Sequence, residues 1–249
     1  MYNKIKVTGM VIAAMPVGEY DRRITILTNE RGKISAFARG ARKPTGALLA
    51  CSQQFAFGEF FLYEGRDSYN LESADIKTYF GDIRNDMNGI YYGMYMCEFA
   101  LYMSRENVQP GQILNLLYVT MRALEKAQMP KKLIRRTFEF RYLTEDGEMP
   151  DVYSCMVCGR DDLLEDDMVR FDAEKGGIVC DACNIKNIGL PVSHSALYAL
   201  QYIVSAPLER LFSFNVTENV LEELDRIVAA WVASRVGHKM KAEEMLDMF

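Results

Sequence analysis

No stretch of this 249-residue chain approaches the ~20 apolar residues of a membrane-spanning helix, which sets aside an integral helical membrane protein. Met1 to Thr8 carries Lys4 and Lys6 without an uninterrupted apolar core behind them, so nothing there reads as a signal peptide and the cytosol is the expected compartment. The common nucleotide and nucleophile signatures are missing too. There is no Gly-x-x-x-x-Gly-Lys-Ser/Thr loop, no Gly-x-Ser-x-Gly elbow and no Rossmann glycine fingerprint, so bound ATP is not implied. Histidine is nearly absent: His194 and His238 are the only two, and neither forms the His-x-Glu pattern of a zinc deaminase. Cys51 lies between Ala50 and Ser52 with no histidine nearby, which leaves a thiol nucleophile little support. No catalytic residue is expected.

What is present is a pair of cysteine pairs. Cys155-Met-Val-Cys158 and Cys180-Asp-Ala-Cys183 are separated by twenty-one residues, so two tight turns can each offer two thiolates to one ion. Gly159 supplies the backbone freedom needed just after the first turn. Paired disulfides are disfavoured without a secretory segment, and a thioredoxin-type site would need one pair rather than two. An iron–sulfur cluster uses the same four thiolates and stays open on count alone. The spacing favours one structural Zn²⁺ on Cys155, Cys158, Cys180 and Cys183, a closed site with no position for water or substrate.

The net charge of −5 conceals an asymmetry. Residues 1–50 hold nine Lys or Arg against Glu19, Asp21 and Glu30, a balance of +6, which leaves −11 on the rest. A basic segment on an acidic protein points to a localised polyanion site, unless it is simply a solvated surface. Period-two patterns then place five short strands before residue 79: around Ile5 to Ala13, Arg22 to Thr28, Lys33 to Arg39, Phe55 to Tyr63 and Tyr69 to Ile76. Five such strands with one long connection after the third suit a small OB-type barrel. That connection, Gly40 to Ala50, carries Arg42 and Lys43 next to Arg39 at the strand end. Lys33, Ser35, Phe37 and Arg39 share one face of the third strand. Cations interleaved with an aromatic suit single-strand phosphates and bases, although Phe37 could equally face the barrel interior. The candidate nucleic-acid contacts are Arg39, Arg42 and Lys43 first, then Lys33, Arg22 and Arg23.

From Tyr79 onward the period becomes helical, with helices expected over 110–128, 131–144, 193–205 and 217–236. The expected architecture is α+β: an OB-type barrel over 1–78, then a helical domain over 79–249 with a zinc-binding segment at about 151–187.

Three motifs carry a resemblance to a known family over nearly the whole chain. Val17-Gly-Glu-Tyr-Asp21-Arg22 leads into the strand Ile24 to Thr28, with Val17 where the family usually has Tyr. Gly32-Lys33 is followed by Arg39-Gly-Ala-Arg-Lys-Pro44. Phe138-Glu-Phe-Arg141 is followed by Gly147, Pro150 and Cys155-x-x-Cys158-Gly159. Together they resemble the RecO family of bacterial recombination mediators. The resemblance implies non-enzymatic work in RecF-pathway DNA repair: binding single- and double-stranded DNA, annealing complementary strands and, with RecR, helping load RecA onto strands coated by single-strand-binding protein. A bacterial cytoplasmic, nucleoid-associated location follows. Some members lack part of the cysteine set; here all four are present. The resemblance also implies that the helical domain receives the acidic, Phe-ended tail of single-strand-binding protein. Lys131, Lys132, Arg135 and Arg136 cluster at a helix start, where the dipole disfavours cations, and are the candidate seat, the alternative being a solvated helix face. A competing reading from another class is an OB and zinc-ribbon RNA-binding or transcription-associated adaptor. A metal-dependent enzyme is a third.

Overall fold

The structure, a computed structural model, describes residues 3–66, 68–106, 108–109, 111–165, 168–185 and 188–246. Strands β1 (Lys4–Val17), β2 (Asp21–Thr28), β3 (Gly32–Ala38), β4 (Phe57–Glu64) and β5 (Tyr69–Thr78) close into a barrel in the order β1-β2-β3-β5-β4. All neighbours are antiparallel except β3 and β5, which meet in parallel at Ala36–Tyr69 and Phe37–Asn70. This is the OB-type barrel anticipated from the strand pattern. Alternation sends Val7, Val11, Ile24, Ile26, Ile34, Ala36, Phe60 and Leu62 into one core, the apolar burial that holds the barrel together.

Closure depends on β1, which is long enough to serve two partners. It pairs with β4 over Lys4–Met10 and with β2 from Gly9 onward. At the changeover Gly9 faces Gly58. A Cβ on Gly58 would collide with the Asp75 carbonyl oxygen, and one on Gly9 would lie 2.5 Å from the Leu27 oxygen. Four strands, β2, β1, β4 and β5, can crowd together here only because both side chains are hydrogen. Gly58→Ala should therefore cost about 1–3 kcal/mol by overpacking, read as a lower urea midpoint with an unchanged slope.

Packing divides the chain into two compact units, one up to Lys126 together with the segment from Met240, the other Ala127–Lys239. In the first unit the barrel is joined by helices α1 (Met87–Met103) and α2 (Ile113–Lys126). The Asp86 side chain caps α1 by accepting from the Asn88 N–H. The second unit opens with α3 (Lys131–Glu145), which begins after Pro130 and stops before Gly147 (φ 99°), as the sequence suggests. A small sheet follows, made of β6 (Asp151–Cys155), β7 (Val169–Asp172), β8 (Gly177–Val179) and β9 (Leu190–Val192) in the order β6-β8-β7-β9. Helices α4 (His194–Ser205) and α5 (Glu218–Arg235) complete this unit. Its core joins Phe140 of α3, Phe171 of β7 and Trp231 of α5, with ring centroids 6.5 and 5.7 Å apart. A last helix, α6 (Lys241–Leu246), belongs to the first unit, and the Glu98 carboxylate of α1 accepts from its Lys241 and Ala242 N–H groups. Among the described residues no helix is long and apolar enough to cross a membrane.

Candidate metal centre and nucleic-acid interface

The four cysteines chosen from spacing converge. The Sγ atoms of Cys155, Cys158, Cys180 and Cys183 all lie within 4.8 Å of one another, and Cys158 Sγ is 3.8 Å from Cys180 Sγ. A Zn–S bond of about 2.3 Å gives a tetrahedral edge of about 3.8 Å, so the donor set fits a four-coordinate ion. The sheet makes the convergence: β6 and β8 run side by side through Cys155–Ile178, and each strand ends in a cysteine turn. The first turn is closed by the Gly159 N–H donating to the Cys155 carbonyl at 2.7 Å, with Gly159 at φ 76°. Four thiols this close cannot all ionise unaided. Burial works against Cys155, but backbone N–H groups of Cys180, Cys158 and Val157 outweigh it and bring its pKa to about 6. Sulfur–hydrogen contacts to Cys180 and Cys158 push Cys183 up to about 12. A divalent cation would resolve this conflict by stabilising every thiolate at once.

The basic residues of the barrel fall into distinct groups. Lys4, Lys6 and Arg31 are ion-paired with Glu72, Glu59 and Glu64. Lys33 donates from Nζ to the Leu101 carbonyl at 2.8 Å, and Arg23 donates from Nε to Ser35 Oγ at 2.8 Å. Arg22 is half-buried and donates to the Leu49 carbonyl and to Ser52 Oγ. Arg39, Arg42 and Lys43 are all exposed, and like Arg23 none forms an ion pair among the described residues. Period two placed Phe37 with Lys33 and Ser35 without saying which face was inside. In the fold these are outward positions, because Ile34, Ala36 and Ala38 fill the core, and Phe37 is half-buried on the outer surface.

The connection bearing Arg42 and Lys43 is a run of overlapping turns, with N–H donation from Lys43 to Gly40, Gly46 to Lys43 and Leu49 to Gly46. Ala41 and Cys51 anchor it in the barrel core. The Asp21 carboxylate accepts from the Gly40 N–H at 2.7 Å, the Tyr20 carbonyl accepts from the Arg42 N–H at 2.8 Å, and Arg42 Nη1 donates to the Gly18 carbonyl at 3.0 Å. Lys43 Nζ sits 5.5 Å from the centroid of the Tyr20 ring. The first two motifs of the sequence are thus one structural feature, the first holding the second. Sequence reasoning assigned Tyr20 and Asp21 no role, although their place in the first motif was a signal.

The cations of α3 are engaged within their own unit. Arg136 reaches Asp225 at 2.6 Å and Glu139 at 2.7 Å, Arg135 reaches Glu139 at 2.7 Å, and Lys132 reaches Asp225 at 2.7 Å. Arg135 and Glu139 are buried, whereas Lys132 is exposed, so the cluster divides into an internal pair and a solvent-facing cation. Burial would raise the Asp225 pKa, but the hydrogen bond from Lys132 and the charge of Arg136 more than offset it and hold the group below its ordinary 3.8. A carboxylate depressed on folding contributes stability above its unfolded pKa and loses it as pH falls through the folded value. Unfolding of this unit should become easier as pH drops below about 4. Asp225→Asn should cost about 1–2 kcal/mol at pH 7, the group being partly exposed, and should flatten that acid limb.

Comparison with known proteins accords with this geometry. The family model described as Recombination protein O N terminal matches residues 1–80, and Recombination protein O C terminal matches residues 84–244. Among curated relatives, a DNA repair protein RecO of Acetivibrio thermocellus is 37% identical over 235 residues, covering 94% of this chain and 92% of its own. One of Anaeromyxobacter dehalogenans is 31% identical over 249 residues, 98% of this chain and 96% of its own. One of Symbiobacterium thermophilum is 29% identical over 250 residues, 99% and 97% of the two chains.

Proposed function

Since the chain belongs to the Recombination protein O family, and so to the DNA repair and recombination proteins, we propose that it binds single-stranded DNA through its barrel and anneals complementary strands. The observation that supports this most is the sorting of charge on the barrel: Arg39, Arg42 and Lys43 keep exposed cations free of carboxylates on a connection stapled in place. Two strands anneal slowly because their phosphates repel. Cations laid against both backbones reduce that repulsion without reading sequence, and no covalent step is needed. Lys33, Arg22 and Arg23 belong to the same proposed contact set, as neighbours that also brace the barrel. Double-stranded DNA binds by the same backbone chemistry.

The metal is one structural Zn²⁺ per chain on Cys155, Cys158, Cys180 and Cys183. Bound there, it supplies cross-linking of the two cysteine turns and no reaction chemistry. Work with RecR to load RecA on coated strands, in the bacterial cytoplasm at the nucleoid, completes the reading. The tail of single-strand-binding protein is the further proposed partner, with Lys131, Lys132, Arg135 and Arg136 as its seat. A bound tail would compete with Asp225 for Lys132 and Arg136, and the Lys131→Ala, Lys132→Ala double variant is the test that spares the buried pair. Weaker binding of a tail peptide is expected; unchanged binding removes the seat.

Annealing of complementary oligonucleotides, with and without single-strand-binding protein, tests the function itself. Purified protein should accelerate annealing in both cases and bind a DNA strand at least as tightly as its RNA counterpart. A clear preference for RNA with no annealing would favour an RNA-binding adaptor instead.

A further inference from the structure

An open cavity of about 320 Å³ in the first unit is lined by the half-buried Arg22 and the exposed Arg84, with Gln53, Gln54, Phe55 and Met94 around them. No carboxylate lines it. Arg84 donates from Nη1 to Gln53 Oε1 at 2.7 Å and from Nη2 to the Gln54 carbonyl at 3.1 Å, while Arg22 Nη1 serves Leu49 and Ser52. Every one of these acceptors is neutral, and neither arginine forms an ion pair among the described residues. A guanidinium has five N–H donors, so about three remain on each for a ligand. Two uncompensated positive charges brought to one cavity require an anion or open water, and the forked donors suit phosphate or carboxylate oxygens.

The wall is held in a conformation that a side chain rarely adopts. Phe55 has φ 77°, in the left-handed region, and is fixed by donating its N–H to the Val11 carbonyl at 2.9 Å beside the β1 bulge between Val11 and Ala13. Gln54 Nε2 donates to the Ile12 carbonyl at 2.9 Å. Gly93 of α1 leaves room for the Phe55 ring, since a Cβ there would lie 3.1 Å from Phe55 Cζ. Strain pinned from two sides in a cationic cavity is the pattern of a preorganised binding wall.

Gln53 and Gln54 end the same connection that begins with Arg39, Arg42 and Lys43, and Arg22 follows Asp21, whose carboxylate holds Gly40. We infer that the Arg22–Arg84 cavity seats a phosphodiester of the bound single strand, a second grip beyond the basic connection. This rests on the DNA-binding reading above, and continuity with the connection favours nucleic acid over an acidic peptide.

Salt titrations on a thymidine oligonucleotide, with wild type, Arg84→Gln, Arg84→Lys and the Arg39, Arg42, Lys43 triple Ala variant, test it. Arg84→Gln should reduce the log-affinity against log-salt slope by about 0.7, and Arg84→Lys should restore it. In wild-type protein the Arg84 Nε–H resonance should shift on adding the oligonucleotide, a readout that needs no substitution. A normal slope in Arg84→Gln and an unmoved resonance, with the triple variant flattened, overturn the cavity and leave the DNA reading intact. No slope change in any variant overturns both. A polyglutamate peptide that moves the resonance when the oligonucleotide does not would assign the cavity to a protein partner and overturn the inference.

Discussion

A Cys180→Ser variant should lose most of its zinc and the cooperative unfolding of the second unit, while the barrel remains folded. The strands that bring the cysteines together are three to five residues long, too short to stand as an independent sheet. Their packing is tied to the rest through Phe171 against Trp231, but the two cysteine turns are joined by only a few contacts: their converging sulfurs, the Cys180 N–H on Cys155 Sγ at 3.4 Å and the Met156 N–H on the Ile178 carbonyl at 2.9 Å. Structural zinc binding is worth roughly 10–16 kcal/mol in small peptides at neutral pH, comparable to or larger than the ~5–15 kcal/mol stability of a whole domain. Losing even part of it should open residues 151–192 to protease. Metal analysis of fresh wild-type protein should give about one zinc per chain, and a strong chelator should reproduce the variant's behaviour. Iron in place of zinc, or a Cys180→Ser protein that resists protease as wild type does, would overturn this assignment.

Changing Arg39, Arg42 and Lys43 together to Ala should weaken binding to single-stranded DNA of every sequence alike, by about 100-fold at 0.1 M salt if each cation neutralises one phosphate. Annealing should fall in parallel, because neutralisation is the whole of the proposed mechanism. The fold should hardly notice. The three side chains are exposed, and the connection is kept in place by backbone hydrogen bonds and by the burial of Ala41 and Cys51. Its thermal midpoint should therefore stay within the small range typical of surface substitutions.

The barrel was legible because a half-buried strand writes its alternation into the sequence, and Ile24, Ile26, Ile34 and Ala36 are both the pattern and the core. The cysteine cluster was legible for a different reason: two close-spaced cysteine pairs constrain geometry locally, so only their convergence remained to be seen. Long-range partners were not legible. Arg136 appears in the sequence as one of four clustered cations, and its partner Asp225 lies 89 residues away. Arg84 gave no signal at all, since its meaning comes from a cavity shared with Arg22 and not from its neighbours in the chain. The side of the barrel that Phe37 faces was open for a related reason: period two gives the set that shares a face but leaves the choice of face to the competing set. The short strands β7 to β9 carry too few residues for any period to show.

The most direct test of the account is the salt dependence of binding to a short thymidine oligonucleotide, measured from about 0.05 to 0.5 M salt for wild type and for the Arg39, Arg42, Lys43 triple Ala variant. Counterion release assigns about 0.7 of slope to each phosphate neutralised on a single strand, so the variant's slope should be shallower by about 2. Equal slopes and equal affinities for the two proteins would contradict the account and place the DNA path away from this end of the barrel.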